Sequence, residues 1–222
     1  MRVALAIATI ALLATGPLPG HGPLAADRIA PAATGVPAGT YVLDRNHASL
    51  IFRISHLGFS NYTARFTRFD VRLDLDPADP AASSVIATID ARSIETDNPD
   101  PALDFDHQLQ NQEWLNTAQF PQMTFRSTGL ELTGPNSARV PGELELHGVT
   151  RPVVLQVTFN GGYASHPLDP SGARIGFSAR GALKRSEFGM TAGLPPPGSS
   201  FGVGDEVEIL IEAEFTRPAS GQ

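Results

Sequence analysis

The chain has 222 residues and a formal net charge of -7, with acids and bases spread along its length. That balance excludes the clustered Lys and Arg that nucleic-acid phosphates demand, and it gives no pull toward anionic lipid head groups. Cysteine is absent, which excludes disulfides, thiol chemistry and thiolate metal sites and leaves burial and strand pairing to hold the fold.

Arg2 followed by the apolar run Val3–Leu13 reads as an export signal, because the run is too short to cross a bilayer as a helix. Residues 1–26 are assigned to a signal peptide whose cut is left open among the small residues from Ala14 to Ala26. Residues 27–39, rich in Ala, Pro and Gly, are expected to form a flexible lead-in. A single domain is expected over 40–217, followed by a tail at 218–222.

Within that domain, apolar and polar residues alternate with period two, which only a half-buried strand converts into one dry and one wet face. Strands are predicted at 41–43, 49–56, 62–66, 69–75, 85–94, 122–128, 138–147, 152–159, 174–184 and 206–216. Leu50, Phe52 and Ile54 oppose Ile51, Arg53 and Ser55, so His56 ends the inward row. In the last strand Val207, Ile209, Ile211, Ala213 and Phe215 oppose Glu206, Glu208, Glu212 and Glu214. Between Phe66 and Phe69 the aromatic phase slips by one residue, through either a β-bulge or a short turn. One helix is predicted over 100–115, where prolines and acids suit a first turn and β-branched residues are absent. Residues 192–204, with Pro195–Pro197 and several glycines, form a long loop.

About ten short strands between Gly and Pro turns predict an all-β fold. The pattern favours a barrel or a sandwich over a parallel sheet, with the one helix capping a sheet or a barrel mouth. A barrel of about eight strands is either packed by its own side chains or holds one small ligand. Small residues at Gly142, Ala179 and Gly181, between Phe52, Phe125 and Phe177, are candidates for leaving such a slot.

The letters Gly198-Ser199-Ser200-Phe201-Gly202 match a nucleophile elbow, but three prolines lead in and no helix leads out, so a plain loop is the reading. The histidines lack metal-ligand spacing, and His147, in phase with Glu143 and Glu145, is expected to face outward. Asp97, Asp100, Asp104 and Asp106 lack the glycine and distal glutamate of a calcium loop and suit a helix start instead. No catalytic residue, metal site or cofactor is assigned.

Several separated segments resemble the YceI-like family of periplasmic polyisoprenoid-binding proteins. They are Tyr41-Val42-Leu43-Asp44 with His47 and Ser49; Phe52, His56 and Gly58; Ser93-Ile94 with Thr96; and Leu109 through Trp114-Leu115 to Phe120-Pro121 and Phe125. Gly142 through His147 to Pro152, Arg185 through Met190, and Val203 through Val207 complete the set. The resemblance implies an all-β fold, an elongated, lipocalin-like antiparallel β-barrel of about eight strands with one helix near its mouth, and a periplasmic role in binding or carrying an isoprenoid lipid or a quinone-like amphiphile. Ala64, where the family usually has glycine, and Phe105, where it is commonly basic, depart from the pattern.

The candidate ligand-binding residues are Phe52, Ile54, Phe66, Phe125, Leu144, Phe177, Leu109 and Trp114, with His56 and Arg185 as polar contacts at the pocket end. Burying about twenty tail carbons is worth roughly 16 kcal/mol against water, but a bilayer is an equally apolar rival, so fit and a few polar contacts must decide. No nucleic acid and no stable membrane insertion are expected, and a homodimer is left open. Two other readings compete: an enzyme using His47 or His56 as acid or base, and a solidly packed envelope interaction module.

Overall fold

The computed structural model describes residues 35–100 and 102–217. The signal segment, most of the lead-in and the tail lie outside the described residues. Eleven strands run in chain order as β1 Gly39–His56, β2 Ser60–Phe66, β3 Phe69–Leu75, β4 Ser84–Asp90, β5 Ile94–Glu95, β6 Gln122–Ser127, β7 Glu131–Gly134, β8 Ser137–Leu146, β9 Val149–Tyr163, β10 Ala173–Lys184 and β11 Val203–Arg217, with helix α1 at Phe105–Leu109. The order β11-β10-β9-β8-β6-β4-β3-β1 closes on itself through β1–β11 pairing, giving an eight-stranded antiparallel barrel. Closure gives every strand of the ring a partner on both sides.

Alternation explains which side chains fill the barrel. Along β8, Val140, Gly142, Leu144 and Leu146 are buried while Arg139, Glu143 and Glu145 are exposed. The outer wall also carries Arg72, Arg180, Lys184, Glu206 and Glu212 in exposed positions, charges that are costly on a lipid-facing barrel wall. Among the described residues no helix is long and apolar enough to cross a membrane.

Two breaks bend the wall. In β1 the pairing with β11 jumps between Leu43 and Ala48, where Asp44 turns its carboxylate to the Asn46 amide. Opposite it, the Thr67 and Arg68 amides leave the ladder and donate to the backbone carbonyl and Oγ of Ser93. This resolves the phase slip after Phe66 as a short break between strands. β2 pairs with Leu50–His56 of β1 and β3 with Gly39–Val42, so the two are halves of one bent strand.

Three elements depart from expectation. The helix covers only five residues, capped by Asp104, whose side chain accepts the His107 amide. It stops because Asn111 forms its own turn, its side chain accepting the Glu113 amide and its carbonyl accepting from Asn116, the local competition that makes Asn a poor helix-interior residue. The strand predicted to Ile94 ends at Asp90, where the Asp90 carboxylate caps a single 3-10 turn by accepting the Arg92 amide. Order also begins before Thr40: Val36 packs against core residues and the Pro37 carbonyl accepts the Tyr41 hydroxyl at 2.8 Å.

The interior divides lengthwise. At the end where β1 begins, Tyr41, Leu43, Ala173, Ile175, Ala213 and Phe215 form a solid core, joined by Phe159 and Phe177. A second cluster around Ile89, Met123, Phe125, Leu144, Leu146 and Val153 lines the other half, and that half is hollow.

Candidate functional site

A cavity of about 390 Å³ occupies the half of the barrel toward the β1–β2 turn, within the range of roughly 300–1,000 Å³ that holds small-molecule ligands. Its sides are Leu50, Phe52 and Ile54 from β1, Phe66 from β2, Phe125 from β6, Leu144 from β8, and Val207, Ile209 and Ile211 from β11. Each belongs to an inward row set by period two. The 105–115 segment lies across the cavity end, contributing Phe105, Leu109, Trp114 and Leu115. The Phe105 ring meets Tyr62 edge-on at 5.7 Å, which fixes the start of this cap to β2.

The wall is almost entirely carbon. Among the described residues only His56, Tyr62, Trp114 and Arg185 bring side-chain nitrogen or oxygen to it, and no carboxylate or lysine does. Tyr62 spends its hydroxyl on the Thr96 carbonyl at 3.3 Å. Arg185 is 3% exposed and donates from Nε to Gly204 O and from its two terminal nitrogens to Val203 O and Met190 O, at 2.8–3.0 Å. Its guanidinium lies 5.5 Å from the Trp114 ring centre, in cation–π range. Burial pushes the Arg185 pKa down, partly opposed by Asp205. Three carbonyls and an aromatic face thus stand in for the solvent the cation has lost, and Arg185 pins the loop before β11 against the cap.

Nine of the ten candidates from the sequence line this cavity: Phe52, Ile54, His56, Phe66, Leu109, Trp114, Phe125, Leu144 and Arg185. Phe177 does not. It packs between Phe159 and Phe215, with ring centres 5.4 and 6.0 Å away, because its inward row continues past the hollow into the solid half. Gly142, Ala179 and Gly181 are also absent from the cavity wall. A Cβ at Gly142 would come within 2.3 Å of the Phe125 ring, so this glycine makes room for an aromatic and leaves no slot. Val207, Ile209 and Ile211 were legible as an inward row, and Tyr62 lies two residues from Ala64 and four from Phe66 on the inward row of β2, whereas Phe105 is brought in by the cap.

The other histidines lie elsewhere. His147 turns inward, contrary to its strand phase, because β8 ends at Leu146 and His147 takes a positive φ of 53°. Its Nδ1 is 3.0 Å from the Phe188 carbonyl, its ring lies against Phe120, and its buried Nε2 has no partner among the described residues. His47 is on the outside beside Asp44 at 2.9 Å. Asp44, His47 and Glu214 converge closely enough to suggest a cation site, but Arg174 already occupies the centre, at 2.7 Å from Asp44, 2.6 Å from Glu214 and 2.7 Å from Asp169. Hydrogen bonds from His47 and then Arg174 hold the Asp44 carboxyl down to about 2. The remaining acids act locally: Asp104 caps α1 and Asp106 accepts the Thr96 amide and hydroxyl. Ser200 sits in an exposed loop, without the strand–turn–helix setting of a nucleophile.

A closed antiparallel barrel with an apolar hollow at one end, roofed by a short helical cap, defines a lipocalin-like binding barrel. The YceI-like domain model matches residues 41–215, and protein YceI of Salmonella arizonae is 36% identical over 180 residues, 80% of this chain and 86% of that protein. The chain therefore belongs to the YceI-like family. Among solved structures, the YceI protein of Campylobacter jejuni shares 27% identity with a TM-score of 0.62, covering 75% of this chain and 91% of that one. A polyisoprenoid binding domain from Saccharophagus degradans, implicated in plant cell wall breakdown, has the same fold at 16% identity and a TM-score of 0.56, over 82% of this chain and all of that domain.

Proposed function

We propose that this protein holds the apolar tail of an isoprenoid amphiphile, polyprenol- or quinone-like, inside the barrel. Phe52, Ile54, Phe66, Phe125 and Leu144 form the wall, and Leu109 and Trp114 the lid. The observation that carries this is the chemistry of the hollow: a space of about 390 Å³ bounded almost wholly by carbon, with no carboxylate or lysine among the described residues to receive a polar guest. Such a space rewards only what water rejects, and its few polar groups lie near the cap, where a head group would emerge. The fold shared with a polyisoprenoid binding domain supports the same class of cargo. Binding without catalysis fits best, since His56 has no titratable side chain beside it on the wall except Tyr62 and Arg185, both engaged by backbone carbonyls. Export to the periplasm and a role in carrying, storing or shielding the lipid complete the proposal.

The test is organic extraction of natively purified protein followed by mass spectrometry. A stoichiometric isoprenoid in the wild type, lost in Ile209→Trp because the indole fills the hollow, is the expected result. Empty extracts from wild type that also fails to take up added isoprenoid would end this reading.

A further inference from the structure

We propose that the cavity end of the barrel docks on a lipid bilayer through Phe59 and Phe201; this rests on the lipid-cargo reading and says where the cargo is exchanged. The two rings are among the most exposed large apolar side chains in the described residues, at 82% and 67%. Neither lines the cavity, so neither is explained by binding the tail.

They belong to one structural tip. His56 pairs with Val203, and both line the cavity; the chain on each side of that pair continues outward, into the β1–β2 turn carrying Phe59 and back into the loop carrying Phe201. The loops are tied by the Leu57 amide donating to Gly202 O at 2.7 Å, and Gly58 faces Ser200 so closely that a Cβ would come within 2.6 Å of its Oγ. Gly58 takes the left-handed φ of 73° that its tight turn requires, and three successive prolines at 195–197 stiffen the second loop.

Charge selects the bilayer as occupant. Neither Leu57–Ala64 nor Thr191–Gly204 contains an acidic or basic side chain, in a chain with 23 acids and 16 Lys and Arg. Aromatic side chains on two such segments enter the head-group region with no ion of their own loops to desolvate, and a tail leaving the hollow past His56 and Val203 would meet hydrocarbon. Because no cation takes part and the protein is acidic overall, this attachment differs from electrostatic adsorption: it holds on neutral lipid and does not yield to salt.

The experiment is flotation of full-length mature protein with phosphatidylcholine vesicles, with and without 0.5 M NaCl, for wild type and the double variant Phe59→Ser/Phe201→Ser. Wild type should float equally at both salt concentrations. The double variant should lose at least about tenfold in partitioning while keeping its melting temperature and its extractable isoprenoid. Equal flotation of the variant, no flotation of wild type, or attachment only to anionic vesicles with release by salt would each overturn the docking proposal. Retained isoprenoid in a protein that ignores vesicles would separate that failure from failure of the cargo reading.

Discussion

The two halves of the barrel use the same strands and the same alternation for opposite ends. In the half around Tyr41, Ile175 and Phe215, which are 0–5% exposed, rings interlock through Phe159, Phe177 and Phe215. In the other half Phe52 and Phe66 lean together at 5.7 Å, but on their free side they face the hollow. The solid half holds the barrel shut, and the hollow half gives up packing to leave space for a guest. The same apolar residue type is therefore a stability element at one depth and a cavity wall at another.

The largest expected effect follows from that division. Phe215→Ala should cost about 3–5 kcal/mol and lower the melting temperature by roughly 6–20 °C. Phe52→Ala should cost the lipid-free protein less than about 3 kcal/mol, since its ring already lacks neighbours on the cavity side, while weakening retention of isoprenoid. Thermal melts of both variants after delipidation check the contrast, and equal losses would erase it. Stripping the cargo from wild type should itself destabilise the protein, by about 2.7 kcal/mol if the lipid was present at a hundred times its Kd, visible as a lower melting temperature that returns on reloading. Next, Gly142→Ala should cost about 1–3 kcal/mol, because the new methyl meets the Phe125 ring and the Arg126 carbonyl.

Acid should act most strongly on the rim of the solid half. The Asp44 pKa is lowered to about 2 from an ordinary 3.8, by hydrogen bonds from His47 and Arg174, and Asp169 is pushed down by Arg174. A depressed carboxyl stabilises the fold above its unfolded pKa and loses that contribution as pH falls through its folded one. Stability should thus decline below about pH 4 toward pH 2, and Arg174→Met should move the acid-unfolding midpoint upward, as followed by circular dichroism. The smallest effect belongs to the exposed pair Arg45–Asp70, 2.7 Å apart with side chains 70% and 57% exposed. Asp70→Asn should change stability by less than about 1 kcal/mol.

Period two made the strands and their inward rows legible, and with them most of the wall from Phe52 to Leu144. It is silent on depth along the barrel axis, which is why Phe177 was grouped with the cavity although its neighbours are Phe159 and Phe215. It also fails where a strand stops: His147 reverses its side once the backbone turns left-handed after Leu146. The overlong helix reflects a different limit, since composition suits a helix over 100–115 but the Asn111 side chain forms its own turn instead. Gly142 shows that a small residue in sequence marks space only if no neighbour grows into it.

The central claim is that a greasy chain enters the hollow beneath the cap, and Trp114, the sole tryptophan of the chain, sits on that wall. Titrating delipidated protein with a bromine-labelled isoprenoid amphiphile should quench Trp114 fluorescence saturably at one equivalent. Fluorescence that stays constant, or falls only in proportion to added lipid without saturating, would contradict the account.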